Sequence, residues 1–184
     1  ELQLKDLETV EARLQKVHKQ AQTGGDKAAK LAYEVLSRYK EALVQGCNAR
    51  TVTFETKDEE KVARELYLLT SKPVLYVCNV DEASVLSGNQ YVEQVRAAIQ
   101  DEGADLLVVA AKIESEIAEL ETYEERQMFL GEIGLEESGV ARLIKAAYAL
   151  LNLETYFTAG VQEVRAWTYT KGSKAPRAAA AIHT

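Results

Sequence analysis

The stretch KPVLYVCNVDE, residues 72–82, decides the fold of this chain. Its first part is a continuous apolar run rich in β-forming residues, which is typical of a strand buried on both faces of a parallel sheet. The run stops at Asn79, and Asp81 and Glu82 follow almost at once. Polar groups in this position lie where open α/β sheets bind their ligands, beyond the carboxyl end of a strand.

A second apolar run, DLLVVAA at residues 105–111, predicts a neighbouring strand. Helical patterns follow both runs, as YVEQVRAAIQDEG at 91–103 and, after the second run, TYEERQMFLGEIG at 122–134 and SGVARLIKAAYALLN at 138–152. Thr122 and Glu125 have the spacing of a capping box, and Ser138 is suited to cap the last of these helices. The alternation of apolar strands with helices predicts an α/β fold with parallel strands.

The two predicted strand ends carry groups that suit a purine. Asn79 offers an amide that can tie the two loops together, and the carboxylates after it can accept from ring or exocyclic N–H groups. The loop at 110–112 adds backbone N–H groups of small residues and a lysine stem. The alternative is that Asn79 and Asp81 only form the turn after a strand, and spacing alone favours this alternative.

Residues 3–46 predict an antiparallel helical hairpin. Its first helix repeats apolar residues at coiled-coil steps, namely Leu4, Leu7, Val10, Leu14 and Val17. The stretch QTGGD at 22–26 interrupts the pattern, and Asp26 is suited to cap the second helix. A further short helix, KDEEKVARELYLL at 57–69, is expected to begin after Thr56.

The tail from Leu153 onward predicts two antiparallel strands, TYFTAG and EVRAWTYTKG, and then a helix with Pro176 in its first turn. Neither this tail nor two strands buried on both faces forms a stable domain alone. We therefore expect the chain to be part of a larger protein, with further sequence on both sides.

Composition narrows the class of protein. With 47% hydrophobic and 28% charged residues, the chain predicts a soluble globular protein without a membrane span. Cys47 and Cys78 are expected to be free thiols in a reducing cytoplasm. The net charge of −7 argues against nucleic-acid binding by the molecule as a whole, but it is compatible with a local basic patch.

Twelve acidic residues lie between Asp101 and Glu137, and we expect them to form a solvent-exposed face. Trp167 is expected in the core.

Several stretches resemble the YchF/Obg-like ATPase family of P-loop proteins. They are KPVLYVCNVDE, LLVVAAKIESEIAEL, SGVARLIKAAYALLNLETYFTAG and EVRAWTYTKGSKAPRAAAAIHT, and DLETVEARLQKVHKQAQTGGDKAAK resembles the family's inserted coiled-coil hairpin. The resemblance covers essentially the whole chain. It implies part of a P-loop NTPase parallel sheet, with the helical coiled-coil insertion at 1–69, the C-terminal half of the G domain at 70–152 and the beginning of a β-grasp (TGS) domain at 153–184.

The resemblance also assigns a nucleotide-base site. Its residues are Asn79, Val80, Glu82, Ala111 and Lys112. GTPases read guanine with N-K-x-D, and here Asn79 is kept while Val80 replaces the lysine and Glu82 the aspartate. The longer glutamate no longer presents the two acceptors that the guanine edge needs, and the N-x-x-E variant is associated with ATP use. The second loop of GTPases reads S-A-K, and here Ala110 replaces the serine.

By the same resemblance, the full-length protein hydrolyses ATP or GTP with Mg²⁺, lies in the cytoplasm and associates with the ribosome or RNA, not with a membrane. The sequence contains neither G-x-x-x-x-G-K-[ST] nor D-x-x-G. We therefore expect the phosphate and magnesium sites upstream of Glu1, assign no catalytic or metal-binding residue, and expect this chain alone to be inactive. The alternative is a non-catalytic module that binds RNA or protein through basic residues of the hairpin and tail, namely Lys16, Lys19, Lys27, Lys30, Arg38, Lys40, Arg165, Lys171, Lys174 and Arg177.

Overall fold

A computed structural model describes residues 1–22 and 26–182 of the chain. It divides the chain into two compact units, Glu1–Pro73 and Val74–Thr184. Within the described ranges, no helix is both long and apolar enough to cross a membrane.

The first unit is built from three helices, which are α1 (Leu2–Gln22), α2 (Lys27–Val44) and α3 (Lys57–Arg64). Helices α1 and α2 pack antiparallel, since Glu11 forms an ion pair with Lys40 at 2.8 Å and the ring of His18 lies 5.7 Å from that of Tyr33. Asp26 caps α2 by accepting the first free N–H groups of the helix. The helical hairpin and its cap therefore form as the sequence predicts.

The predicted row of buried apolar residues along α1 is wrong at its N-terminal end. Val10 is fully buried and Leu14 packs partly buried on the same core, but Leu4 is 66% exposed. Near this end of the helix the buried residue is Asp6. Because positions two residues apart lie about 200° apart around a helix, burying Asp6 turns Leu4 outward.

Asp6 fastens the start of α1 to a short 3₁₀ turn at Leu69–Ser71. Its carboxylate accepts hydrogen bonds from the backbone N–H groups of Leu69 and Thr70 and from the Thr70 hydroxyl, each at 2.7 Å. The Thr70 hydroxyl oxygen in turn accepts from the Ala49 N–H at 2.9 Å. The buried Asp6 carboxylate is thus paired with hydrogen-bond donors, and Asp6 and Thr70 together join α1, the Leu69–Ser71 turn and the segment at Ala49.

Helix α3 begins as predicted but ends early. Thr56 and Glu59 form a reciprocal capping box at its start. The helix ends at Arg64, where the sequence pattern predicted continuation to residue 69. Tyr67 has a φ of 51°, which an α-helix cannot accommodate, so the chain turns there.

The second unit contains a parallel pair of strands, β1 (Leu75–Asn79) and β2 (Asp105–Val109). Its helices are α4 (Gln90–Ile99), α5 (Ala111–Glu119), α6 (Tyr123–Glu132) and α7 (Gly139–Leu150). The parallel pairing and the α/β alternation agree with the sequence prediction. Helix α5 was not anticipated, and its buried Ile113 and Ile117 join a small core with Val85 and Leu130.

The tail of the second unit is an antiparallel hairpin of β3 (Leu153–Ala159) and β4 (Val164–Thr170), followed by α8 (Ala175–Ala179). Tyr156 lies opposite Trp167, and Pro176 lies in the first turn of α8 as predicted. Trp167 was expected in the core, but it is only half-buried. The reason is that a sheet of just two strands cannot cover its side chain completely.

Candidate functional site

Asn79 joins the ends of the two parallel strands. As the last residue of β1 it lies opposite Val109, the last residue of β2. Its side-chain Oδ1 accepts a hydrogen bond from the Ala111 N–H at 2.9 Å, across 32 positions of sequence. The Val80 N–H donates to the Val109 carbonyl at 2.8 Å, which extends the strand pairing by one residue. The amide therefore makes the loop-to-loop link that its position at a strand end predicts.

The three residues after Asn79 have different environments in the structure. Asp81 caps a one-turn 3₁₀ helix, Glu82–Ser84, by accepting the Ser84 N–H at 2.9 Å. This bond gives Asp81 the turn-forming role that the alternative interpretation assigns to it. Val80 is half-buried and packs on the small core below, whereas Glu82 is exposed. Both carboxylates of this loop are exposed, but Asp81 also caps the turn.

The second loop begins at Ala110, which is 1% exposed and immediately precedes α5. Ala111 is exposed, so its link to Asn79 lies at the surface. Lys112 is also exposed, and its ammonium lies 3.8 Å from the Glu116 carboxylate one helical turn further on. The structure thus connects Asn79 and Ala111 directly at a rim that Glu82 and Lys112 approach from either loop. Contact between these residues and a base stays a prediction.

Glu114, which the sequence pattern assigned to a solvated acidic face, has a structural role instead. Its carboxylate accepts the Gly139 N–H at 2.6 Å and the Val140 N–H at 3.1 Å. These two N–H groups have no acceptor within α7, because they lie at the start of the helix. The helix dipole also favours a negative charge there. Ser138 caps the same helix, as predicted. No local sequence signal reveals the Glu114 contact, because its partners lie 25 and 26 positions away.

Arg142 fixes α7 to the strand that carries the second loop. Its Nη2 donates to the Val108 carbonyl at 2.9 Å. Its Nε is buried and has no hydrogen-bond partner within the described residues. Together with Glu114, this contact holds α5, α7 and β2 in a fixed arrangement beneath the rim.

Comparison with known proteins gives matches along the whole chain. A model named YchF-GTPase_C, described as a protein of unknown function (DUF933), matches residues 153–184. The chain is 54% identical over 186 residues to the ribosome-binding ATPase YchF of Bacillus subtilis, with 100% of the chain and 50% of that protein covered. It is 37% identical over 188 residues to the Obg-like ATPase 1 of Rattus norvegicus, covering 100% of the chain and 47% of that protein.

A solved structure gives the same picture. The Schizosaccharomyces pombe YchF GTPase superposes with a TM-score of 0.86 at 30% identity, over 99% of this chain and 50% of that one. The chain therefore spans about half the length of the curated relatives that it matches.

Proposed function

The chain belongs to the YchF/Obg-like ATPase family, and from this premise we propose that it forms the base-binding part of a nucleotide-hydrolysing P-loop NTPase. The observation that carries the proposal is the 2.9 Å hydrogen bond from the Ala111 N–H to Asn79 Oδ1. It joins the two loops that correspond to N-K-x-D and S-A-K of the GTPases. Relatives of this chain are named as ATPases and as a GTPase, which supports nucleotide hydrolysis by the full-length protein.

The exposed groups of the rim fit a purine. Asn79 uses its acceptor oxygen in the loop link, so its NH₂ end is the part offered to a ligand. A purine presents N7 as an acceptor whether it is adenine or guanine, so this contact does not discriminate between them. The aliphatic stem of Lys112 and the half-buried Val80 provide apolar surface for the ring faces.

Discrimination between bases then falls to Glu82, and we propose that it favours ATP over GTP. An aspartate in this place accepts two hydrogen bonds from the guanine edge. Glutamate is one methylene longer and presents its oxygens at a different distance. A guanine N–H left unpaired in a buried contact is costly, so the substitution removes a guanine preference.

The phosphates and Mg²⁺ are not assigned to residues of this chain. The rim supplies an amide, a carboxylate and a lysine, and it contains no glycine-rich loop to surround phosphates. Mg²⁺, if bound in the full-length protein, would supply positive charge to the phosphates, and no residue of this chain is assigned to hold it. We propose that these steps take place on sequence outside the 184 residues and that this chain alone does not hydrolyse nucleotide.

We further propose that the full-length protein works in the cytoplasm in association with the ribosome or RNA. Several relatives are named as ribosome-binding ATPases, which supports this part. The assignment of 1–69 as a coiled-coil insertion and of 153–184 as the start of a TGS domain belongs to the same proposal. A second candidate is a non-catalytic module that binds RNA or protein, and the basic residues of the hairpin and tail favour it.

Base reading is tested by titrating ATP and GTP against the full-length protein and its Val80→Lys/Glu82→Asp variant. The variant restores N-K-x-D, and we expect its GTP-to-ATP affinity ratio to rise at least about tenfold. A matched control, Val161→Lys/Glu121→Asp, makes the same two changes at exposed loop positions and should leave the ratio unchanged. An unaltered ratio in the test variant would mean that these residues do not read the base.

A further inference from the structure

The second loop, residues 110–112, is fixed by its neighbours along the chain and by the first loop. The Ala110 carbonyl accepts the Glu114 N–H at 3.1 Å, which forms the first turn of α5. The Ala111 N–H donates to the side chain of Asn79. Both bonds act on the backbone of the loop, and a third contact, made by the Glu114 side chain, ties the helix that continues the loop to α7.

Both oxygens of the Glu114 carboxylate take part in this contact. Oε1 accepts the Gly139 N–H at 2.6 Å, and Oε2 accepts the Val140 N–H at 3.1 Å. A carboxylate that is bonded at both oxygens is held in one orientation, and charged acceptors form the stronger class of hydrogen bond. The half-buried side chain of Glu114 therefore holds the start of α5 against the start of α7.

Helix α7 in turn lies against the end of β2. A Cβ built on Gly139 would lie 3.0 Å from Cγ1 of Val109, so the helix begins directly beside the last residue of that strand. Arg142, less than one turn further along, donates to the Val108 carbonyl. The contacts thus form a closed ring that runs from β2 through the second loop and α5 to α7 and back to β2. Glu114 is the residue that closes this ring between α5 and α7.

We propose that Glu114 is a positioning residue for nucleotide binding, which holds Ala111 and Lys112 in place for the base without touching the nucleotide itself. A hydrogen bond weakens steeply when its donor is displaced or turned, so a site that is held in advance binds more tightly than one that must be ordered. This inference rests on the proposed base site and adds the residue that fixes its geometry. If Glu114 only stabilised α7, its removal would lower stability and leave base affinity unchanged.

The test compares Mg²⁺-ATP with Mg²⁺-tripolyphosphate as ligands of the full-length protein, by isothermal titration calorimetry. ATP carries a base and tripolyphosphate does not, so the ratio of the two Kd values isolates the contribution of the nucleoside. Glu114→Ala should weaken ATP binding about tenfold and change tripolyphosphate binding by less than about twofold. In steady-state hydrolysis, KM should rise with kcat nearly unchanged, because base contacts are the same in the ground state and the transition state.

Three further variants separate positioning from a general loss of stability. Glu114→Gln keeps the length of the side chain and one acceptor oxygen, so it should weaken ATP binding only about threefold. Glu119→Ala removes an exposed carboxylate from the same helix and should leave both Kd values unchanged. Leu14→Ala destabilises the first unit, away from the ring, and should also leave both Kd values unchanged.

Two results would overturn the positioning role and leave the base site standing. One is equal weakening of ATP and tripolyphosphate binding by Glu114→Ala, and the other is an ATP Kd that this variant does not change. If Glu114→Ala does not fold, Glu114→Gln decides, and a wild-type ratio of the two Kd values in that variant would overturn the proposal. Wild-type protein that binds ATP no more tightly than tripolyphosphate would instead refute the base site, and the inference with it.

Discussion

The Glu114 carboxylate occupies the space into which a side chain at Gly139 would project. Its Oε1 lies 2.6 Å from the Gly139 N, and a Cβ built on Gly139 would lie 2.8 Å from that same oxygen. Helix α7 therefore begins at a residue without a side chain, because a carboxylate from α5 takes the place of one. The contact therefore couples α5 to α7.

Gly139→Ala should therefore destabilise the chain by about 2 kcal/mol, since either the carboxylate or the start of α7 must shift. Gly131→Ala is the matched control. Gly131 lies inside α6 with nothing within 4 Å of a built Cβ, so alanine there should be neutral or stabilise by about 0.5 kcal/mol. Urea denaturation of both variants measures the difference. Similar free energies of unfolding for the two would contradict the coupling of Glu114 to α7.

Asp6→Ala should cost about 3 kcal/mol of unfolding free energy. It leaves the buried N–H of Thr70 and the partly buried N–H of Leu69 without their acceptor. Glu8→Ala, which removes an exposed carboxylate from the same helix, should change stability by less than about 0.5 kcal/mol. A small loss in Asp6→Ala, as seen by thermal or chemical denaturation, would show that solvent replaces the missing carboxylate.

Two leucines of one helix give a direct test of which face of α1 is buried. Leu14→Ala should cost about 2 kcal/mol, near the low end for core leucines, because the side chain is only partly buried. Leu4→Ala should cost almost nothing, since Leu4 is 66% exposed. Hydrogen exchange of α1 amides in the two variants distinguishes them. Equal loosening would mean that Leu4 also packs against a partner helix.

The capping box of α6 predicts a pH dependence of stability. Hydrogen bonds from the Thr122 backbone N–H, and then from its side chain, lower the pKa of Glu125 below 4.5. A depressed carboxyl pKa stabilises the fold above the unfolded pKa, and this contribution is lost as pH falls through the folded pKa. The stability difference between wild type and Glu125→Gln should therefore be largest at pH 7 and smaller near pH 3. Glu124→Gln, outside the capping box, is the control, and an equal difference at both pH values for Glu125→Gln would refute the link.

The features that the sequence predicts well are those whose physical cause is local. Asp26, Thr56, Thr122 and Ser138 all cap helices as expected, because a cap bonds to N–H groups only two or three residues away. The parallel strand pair was also predictable, since two apolar runs separated by a helix leave few other arrangements.

The features that the sequence does not predict depend on long-range contacts. Asp6 binds residues more than 60 positions away, and this contact, not the apolar period, decides which side of α1 faces inward near its start. Glu114 appears in the sequence as one of many acids and gains its role only from the approach of Gly139. At the candidate site, the Asn79 link follows from two parallel strand ends, whereas base contact depends on a ligand and stays a prediction.

The anchored start of α1 has a mechanical consequence. A 21-residue helix is about 30 Å long, and its beginning is held by Asp6 while its far end lies well away from that anchor. A rotation of about 10° at Asp6 would displace Gln22, which lies about 24 Å further along the helix, by about 4 Å. Any rotation of the hairpin about the contact between Asp6 and Thr70 would therefore move the far end of α1 several times further than the residues next to that contact.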